Sequence, residues 1–384
     1  MDMNWYSIQN IDTLDTPALV VYPDRVRENI SRAIGMVGDP ARLRPHVKTH
    51  KSPEVTQMLL DAGITRFKCA TIAEAEMLAV REAPDVLLAY QPIGPKAARL
   101  VTLINRYPDT RFSCLTDDPA AATAMAAIFA AAGLSVPVWL DINVGMNRTG
   151  IAPDETALRL YQTATALKGI TPVGLHVYDG HIRDMDPVLL KQRCDEAFAG
   201  VMELRERIAA LLPGSPLLPV IAGGSPTFPV HAGRGSAADD GEQAQAAVVQ
   251  CSPGTFVYWD KGYADQFAGQ PFQPAALVVT RVISLLGEKR FCLDLGHKSI
   301  SAENELGRRV SFIDAPGLVL VGHSEEHLVV ETEAGHGYRV GDVLYGIPYH
   351  ICPTVALYER AFTVVDGWVS GEWRNVARDR KLTI

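Results

Sequence analysis

From residue 18 to about residue 256, short apolar runs alternate with amphipathic stretches of helical period, and that rhythm leaves few folds open. A run of about four to eight apolar residues bounded by turn signals reads as a buried strand, and strands separated by helices pair in parallel because the helix carries the chain back across the sheet. The runs are ALVVY (18–22), RLRPHVK (42–48), RFKCA (66–70), DVLLAY (85–90), RFSCL (111–115), VPVWLDI (136–142), TPVGLHV (171–177) and LLPVIA (217–222). Eight parallel strands, each followed by a helix, close into a (β/α)8 TIM-type barrel, which is expected over residues 18–256. The longest intervening helix, DPVLLKQRCDEAFAGVMELRERIAALL, is expected to stop at Pro213-Gly214. After VVQCSPGTF (248–256) helix-length periodicity disappears. The runs AALVVTRVISLL, RFCLDLG, GLVLVG, HLVVETE, GDVLYGIP and AFTVVDGWV predict an antiparallel β domain over 257–384, with residues 1–17 joining it.

Composition narrows the partners. A net charge of -8, a pI of about 5.7 and the lack of any Lys/Arg block argue against nucleic acid or an anionic membrane, which leaves a small-molecule ligand. The cysteines, Cys69, Cys114, Cys194, Cys251, Cys292 and Cys352, form no CxxC pair and read as free thiols of a reducing compartment. The start MDMNWYSIQN has neither a basic region nor an apolar core, so a cytoplasmic location is expected.

Several strands break the apolar rule of barrel interiors. In RLRPHVK, Arg44, His46 and Lys48 share one face while Leu43, Pro45 and Val47 share the other. Trp139, Asp141 and Asn143 likewise oppose Val138, Leu140 and Ile142, with Arg148 just beyond; His176 and Tyr178 oppose Leu175 and Val177. Catalytic residues of such barrels gather at the C-terminal strand ends, where Lys48, Arg148, Tyr178 and the glycines of IAGGSPT all fall. Lys48 keeps the inward parity, whereas Lys51 has the opposite parity and precedes Pro53, which places it on the surface. A lysine desolvated beside another cation is a nucleophilic amine suited to Schiff-base chemistry; the alternative is a structural lysine paired with Asp141. AGGSPT (222–227) offers backbone N–H groups and hydroxyls to a phosphate, or is an ordinary turn. Lysine, phosphate cradle and barrel together point to pyridoxal phosphate, an aldehyde that carries a phosphate. In the β domain, His350 and Cys352 fall at i and i+2 of an expected strand and so on one face, where they could bind zinc or another divalent cation; otherwise they are a loop histidine beside a core cysteine.

These residues resemble the fold-type III pyridoxal phosphate enzymes, and within them the D-threonine aldolase and D-serine dehydratase group. DTPALVV, RPHVKTHK, DINVGMNRTGI, GLHVYDGH, GGSPTFP, PGTFVYWD, SEEH and PYHICPTV carry the resemblance over nearly the whole chain. It implies a barrel followed by a β domain, a homodimer, and a site in the barrel mouth closed in part by the β domain. Lys48 would carry the cofactor as a Schiff base, Arg148 would contact its phenolate oxygen and Tyr178 its ring. Gly223, Gly224 and Ser225 would cradle the phosphate with Tyr258 and Asp260 nearby, and His350 and Cys352 would hold a divalent metal, zinc or manganese. Some relatives carry a histidine six residues after the tyrosine, where this chain has Asp184; His181 is the nearest histidine and the candidate base.

The activity implied is a lyase of D-3-hydroxy amino acids, of D-threonine aldolase type (D-threonine to glycine and acetaldehyde). The alternative is a D-serine/D-threonine dehydratase, which shares every part. A racemase needs no metal, so the HxC pair speaks against it; a non-enzymatic pyridoxal phosphate carrier is a barrel alone.

Overall fold

The computed structural model describes residues 4–211, 214, 217–234 and 249–384; Pro213 lies outside them. Two compact units emerge. One comprises Met1–Arg32, Thr49–Val55 and Thr255–Arg378, the other Ala33–Lys48, Thr56–Gly254 and Asp379–Ile384.

Strand β1 (Ala18–Val21), expected as the first stave of the barrel, belongs to the other sheet. The barrel unit instead carries a parallel seven-stranded sheet of β2 (Arg66–Cys69), β3 (Asp85–Leu88), β4 (Arg111–Thr116), β5 (Val136–Ile142), β6 (Ile170–Val177), β7 (Val220–Ala222) and β8 (Val249–Cys251), paired in chain order. β8 is the stave that the sequence reading took for the domain boundary. RLRPHVK closes the ring without being a regular strand, because Pro45 lacks an N–H and cannot complete a ladder. On one side Arg44 N donates to Cys251 O (2.8 Å) and His46 N to Pro253 O (3.0 Å); on the other Val47 N donates to Lys68 O and Lys68 N to Pro45 O (both 2.9 Å).

The ring interior has an apolar layer of Leu87, Leu115, Trp139 and Ile221. Gly174 makes room for the indole, since a Cβ there would lie 2.2 Å from Trp139 Cζ3. Arg44 is also a packing element. Only 1% exposed, its guanidinium meets Gln250 Oε1 (2.7 Å), Phe67 O (3.2 Å) and Asp85 Oδ1 (2.6 Å), so one inward arginine is structural.

In the other unit, β1 pairs antiparallel with β9 (Ala276–Leu285) and the sheet continues through β10 (Arg290–Leu293), β11 (Val310–Phe312), β12 (Val319–His323), β13 (Leu328–Glu331), β14 (Val343–Pro348), β15 (Arg360–Val365) and β16 (Trp368–Arg374). It is antiparallel except where β1 runs parallel to β15. Short helices at Lys261–Gln266 and Ile351–Leu357 interrupt the strands, so this region is not purely β. Buried clusters around Val278, Phe291 and Leu328, and around Val20, Leu277 and Tyr345, form its core. No described helix is long and apolar enough to cross a membrane.

Candidate active site

Period-two alternation places the barrel cluster. β5 turns Trp139 and Asp141 inward and β6 turns His176 inward, so Asp141 Oδ1 and His176 Nδ1 meet at 2.7 Å with both side chains buried. Asp141 is thus spent on His176 and Thr149 rather than on Lys48. Burial works against the carboxylate, but the bonds from His176 and Thr149 outweigh it and hold Asp141 below the usual range. Burial lowers His176 despite Asp141. The imidazole is therefore neutral with its proton on Nδ1, and Nε2 is a buried acceptor without a hydrogen-bond partner among the described residues.

Tyr178 follows β6, and its ring is flanked by the Arg148 guanidinium at 4.7 Å and the Lys68 ammonium at 5.9 Å. Lys48 N donates to His46 Nδ1 at 3.3 Å, and Lys48 is half-buried at the end of its stave. Lys51 is also half-buried rather than on the surface: at φ 51° it leaves the stave direction, and its ammonium reaches Ala377 O at 3.3 Å within its own unit. Lys68 was missed by the sequence reading, although RFKCA alternates Lys68 with the apolar Phe67 and Cys69. Fully buried, it is lowered to about 7 by desolvation first and by Lys48 next, against the pull of Asp141.

The AGGSPT turn is built for close approach. Gly223 has φ +73°, and a Cβ there would lie 2.7 Å from His231 Cδ2; a Cβ on Gly224 would lie 3.0 Å from Tyr178 Cε2. The Gly223 N–H is occupied by Val177 O (2.9 Å) and the Gly224 N–H donates to Thr227 Oγ1 (3.4 Å), so both glycines shape the turn. Ser225 is buried in the same turn. Beneath it, Asp179 accepts from Thr227 Oγ1 and His231 Nε2, each at 2.7 Å, a brace that the sequence reading also missed. Asp179, His231 and Cys194 lie within ligand distance of one another, but burial pushes the Cys194 thiol up to about 12 and the other two are bonded together, which makes the group a hydrogen-bonded support.

His181 is exposed three residues beyond Tyr178, and its ring packs on the Arg148 loop: a Cβ on Gly145 would lie 2.7 Å from His181 Nε2. Asp184 is engaged by Arg193 at 3.5 Å.

The remaining expected residues lie in the β unit. His350 and Cys352 are not on a strand; His350 caps the helix Ile351–Leu357 and Cys352 sits in its first turn, because Pro353 is tolerated there and Thr354 Oγ1 donates back to His350 O. They still meet through the helix start, where His350 hydrogen-bonds Cys352. Glu303 binds His350 Nδ1 at 2.5 Å, and Thr49 Oγ1, on the residue after Lys48, lies 3.1 Å from Cys352 Sγ. Burial opposes the imidazolium, yet Cys352, Glu303 and Asp260 outweigh it and raise His350 to about 9. An imidazole and a thiol steered together suit a borderline-soft divalent cation, which would displace a proton from each on binding. Asp260 caps Lys261–Gln266 through Tyr263 N (2.9 Å) and accepts from Ile351 N (3.1 Å), while Tyr258 is buried to 1% exposure; the structure gives both a place in this unit's framework.

The sequence matches the alanine racemase N-terminal domain family over residues 21–233 and a putative serine dehydratase domain over residues 275–364. The chain belongs to the fold-type III pyridoxal phosphate enzymes. Within that family it is 30% identical over 375 residues to D-threonine aldolase of Arthrobacter sp, covering 95% of this chain and 93% of that protein. It is 27% identical over 368 residues to D-threo-3-hydroxyaspartate dehydratase of Delftia sp. (strain HT23), covering 90% and 93%. The crystal structure of D-threonine aldolase from Filomicrobium marinum superposes with a TM-score of 0.84 at 25% identity over 98% of both chains. The residues present fit the family's cofactor: a half-buried lysine at a stave end, an aromatic ring between two cations, and a turn whose glycines leave no room for a Cβ.

Proposed function

We propose that this chain is a pyridoxal phosphate-dependent lyase of D-3-hydroxy amino acids that cleaves D-threonine to glycine and acetaldehyde, with a divalent cation at His350 and Cys352. The observation that carries the aldolase reading is the position of His181, whose imidazole is seated on the loop that bears Arg148, three residues from Tyr178. In this reading His181 is the base for the 3-hydroxyl.

Bound pyridoxal phosphate supplies an aldehyde for the substrate amine and a ring that takes up electron density from the bonds at Cα, and the cation polarises the 3-hydroxyl. Lys48 Nζ would hold the cofactor's aldehyde carbon, and its amine would hold or return a proton. Arg148 would offer the ring a fixed positive charge, Tyr178 would support it, and the turn from Gly223 to Ser225 would hold the phosphate. His181 takes the hydroxyl proton at an imidazole nitrogen. Glu303 holds His350 in the orientation a ligand needs.

Incubation with D-threonine, D-serine and D-threo-3-hydroxyaspartate, with assays for acetaldehyde, glyoxylate, pyruvate, 2-oxobutanoate and oxaloacetate, tests the reading. Acetaldehyde with equimolar glycine supports it; a 2-oxo acid with ammonia assigns the dehydratase reading that the Delftia relative represents. A homodimer in the cytoplasm completes the proposal, and sedimentation equilibrium checks the dimer.

A further inference from the structure

The AGGSPT turn leans on a carboxylate. Asp179, the residue after Tyr178, is 2% exposed and accepts from Thr227 Oγ1 and His231 Nε2, each at 2.7 Å. Burial works against its charge, but the bonds from His231 and Thr227 outweigh burial and hold it below the usual carboxylate range. The polarity of these bonds admits one arrangement. A carboxylate only accepts and an arginine only donates, so Arg234 Nε, 3.2 Å from His231 Nδ1, keeps the imidazole proton on Nε2, where it faces Asp179. Thr227 spends its one hydroxyl proton on Asp179, which leaves the lone pairs of Oγ1 to the Gly224 N–H at 3.4 Å. Gly223 is seated on the same two side chains: at φ +73°, a Cβ there would lie 2.7 Å from His231 Cδ2 and 2.8 Å from Thr227 Oγ1. Both glycines of the turn therefore rest on groups that Asp179 holds, and Asp179 itself belongs to the segment that carries the Tyr178 ring against Gly224.

One buried carboxylate thus ties the end of β6 to the turn that follows β7. We propose that Asp179 is a positioning residue for the cofactor's phosphate: through Thr227 and His231 it sets the AGGSPT turn before any ligand arrives, and the preference of the site for a phosphorylated aldehyde over the same aldehyde without phosphate depends on it. The proposal rests on the reading of this turn as the phosphate site. A backbone already in place binds without the entropy loss of being ordered, so losing the brace weakens the hold on the group that the turn grips and spares the aldehyde end.

The full chain, stripped of cofactor with hydroxylamine, is titrated with pyridoxal phosphate and with pyridoxal, and binding is read from the visible absorbance of the lysine-bound aldehyde. Asp179→Asn turns one accepting oxygen into a donating amide, so Thr227 loses the acceptor of its proton; Thr227→Val removes the hydroxyl at nearly constant size. Each variant should bind pyridoxal phosphate about tenfold or more weakly and pyridoxal less than about twofold more weakly. Thr227→Ser keeps the hydroxyl and should keep the preference. Equal weakening of both aldehydes, the mark of a merely structural role, overturns the proposal, and so does a preference that neither variant moves. An unaltered protein that binds the two aldehydes equally well overturns the phosphate reading of the turn, and the proposal with it. Should both variants fail to fold by circular dichroism, hydrogen exchange on the unaltered protein decides: a segment 222–228 already protected without cofactor supports the proposal, and one that gains protection only on loading overturns it.

Discussion

The barrel interior and the corner around His350 are polar for opposite reasons. Lys68, Asp141 and His176 are buried within the barrel unit, set there by strand alternation, and each charge is fixed by its neighbours in a space that water does not screen. His350 and Glu303 have side chains 46% and 47% exposed within this chain, and their meeting depends on a loop 47 residues away from the helix start. The barrel cluster is pre-organised by regular structure. The other is assembled from a helix cap and a loop, the kind of site in which a bound ion does much of the organising. Mutations in the first should therefore act whether or not metal is present, while those in the second should act through metal occupancy.

The largest effect is expected at Lys48. Lys48→Ala should abolish the visible absorbance of lysine-bound cofactor and lower kcat by more than about a thousandfold, with or without added metal, whereas Lys51→Ala keeps both. Absorbance spectra and steady-state assays check it, and equal loss in the two variants would break the contrast. Next, His350→Ala, or exhaustive chelation, should lower turnover of D-threonine by about a hundredfold or more while the cofactor absorbance persists. Zinc or manganese should restore the chelated enzyme and not the variant. Full activity in chelator would remove the metal from the mechanism.

In the framework beneath the barrel cluster, Asp85→Ala leaves Arg44 buried without its carboxylate and should cost about 3 kcal/mol of stability, read as a shift of the urea midpoint. The smallest change is at Glu303. Glu303→Gln keeps the shape but not the charge that orients His350, so metal affinity measured by competition with a chromogenic chelator should fall about tenfold with little change in the urea midpoint. An equal affinity would make Glu303 a bystander.

Much of the barrel was legible because periodicity reports which face of a strand is buried, and that is local information. Arg44, Trp139, Asp141 and His176 were read as inward from parity alone, and Lys68 carries the same signal in RFKCA. What parity could not say is which inward charge pairs with which: Asp141 was a possible partner for Lys48, and the structure joins it to His176. The HxC reading put His350 and Cys352 on one strand face; they stand at a helix start instead, which also brings residues i and i+2 within reach of each other.

By itself the sequence determined the alternation of strands and helices, the inward polarity of the closing stave and the close glycine turn of AGGSPT, because each follows from side-chain period or backbone freedom over a few residues. Only the tertiary structure decided that β1 leaves the barrel and that β8 takes its place, since apolar runs of similar length compete for one sheet edge and packing chooses between them. Only it brought Glu303 to His350, Thr227 and His231 to Asp179, and Lys68 to the stave of Lys48. Those contacts join residues about 20 to 50 positions apart, and no local pattern encodes a distance that only the closed fold brings about.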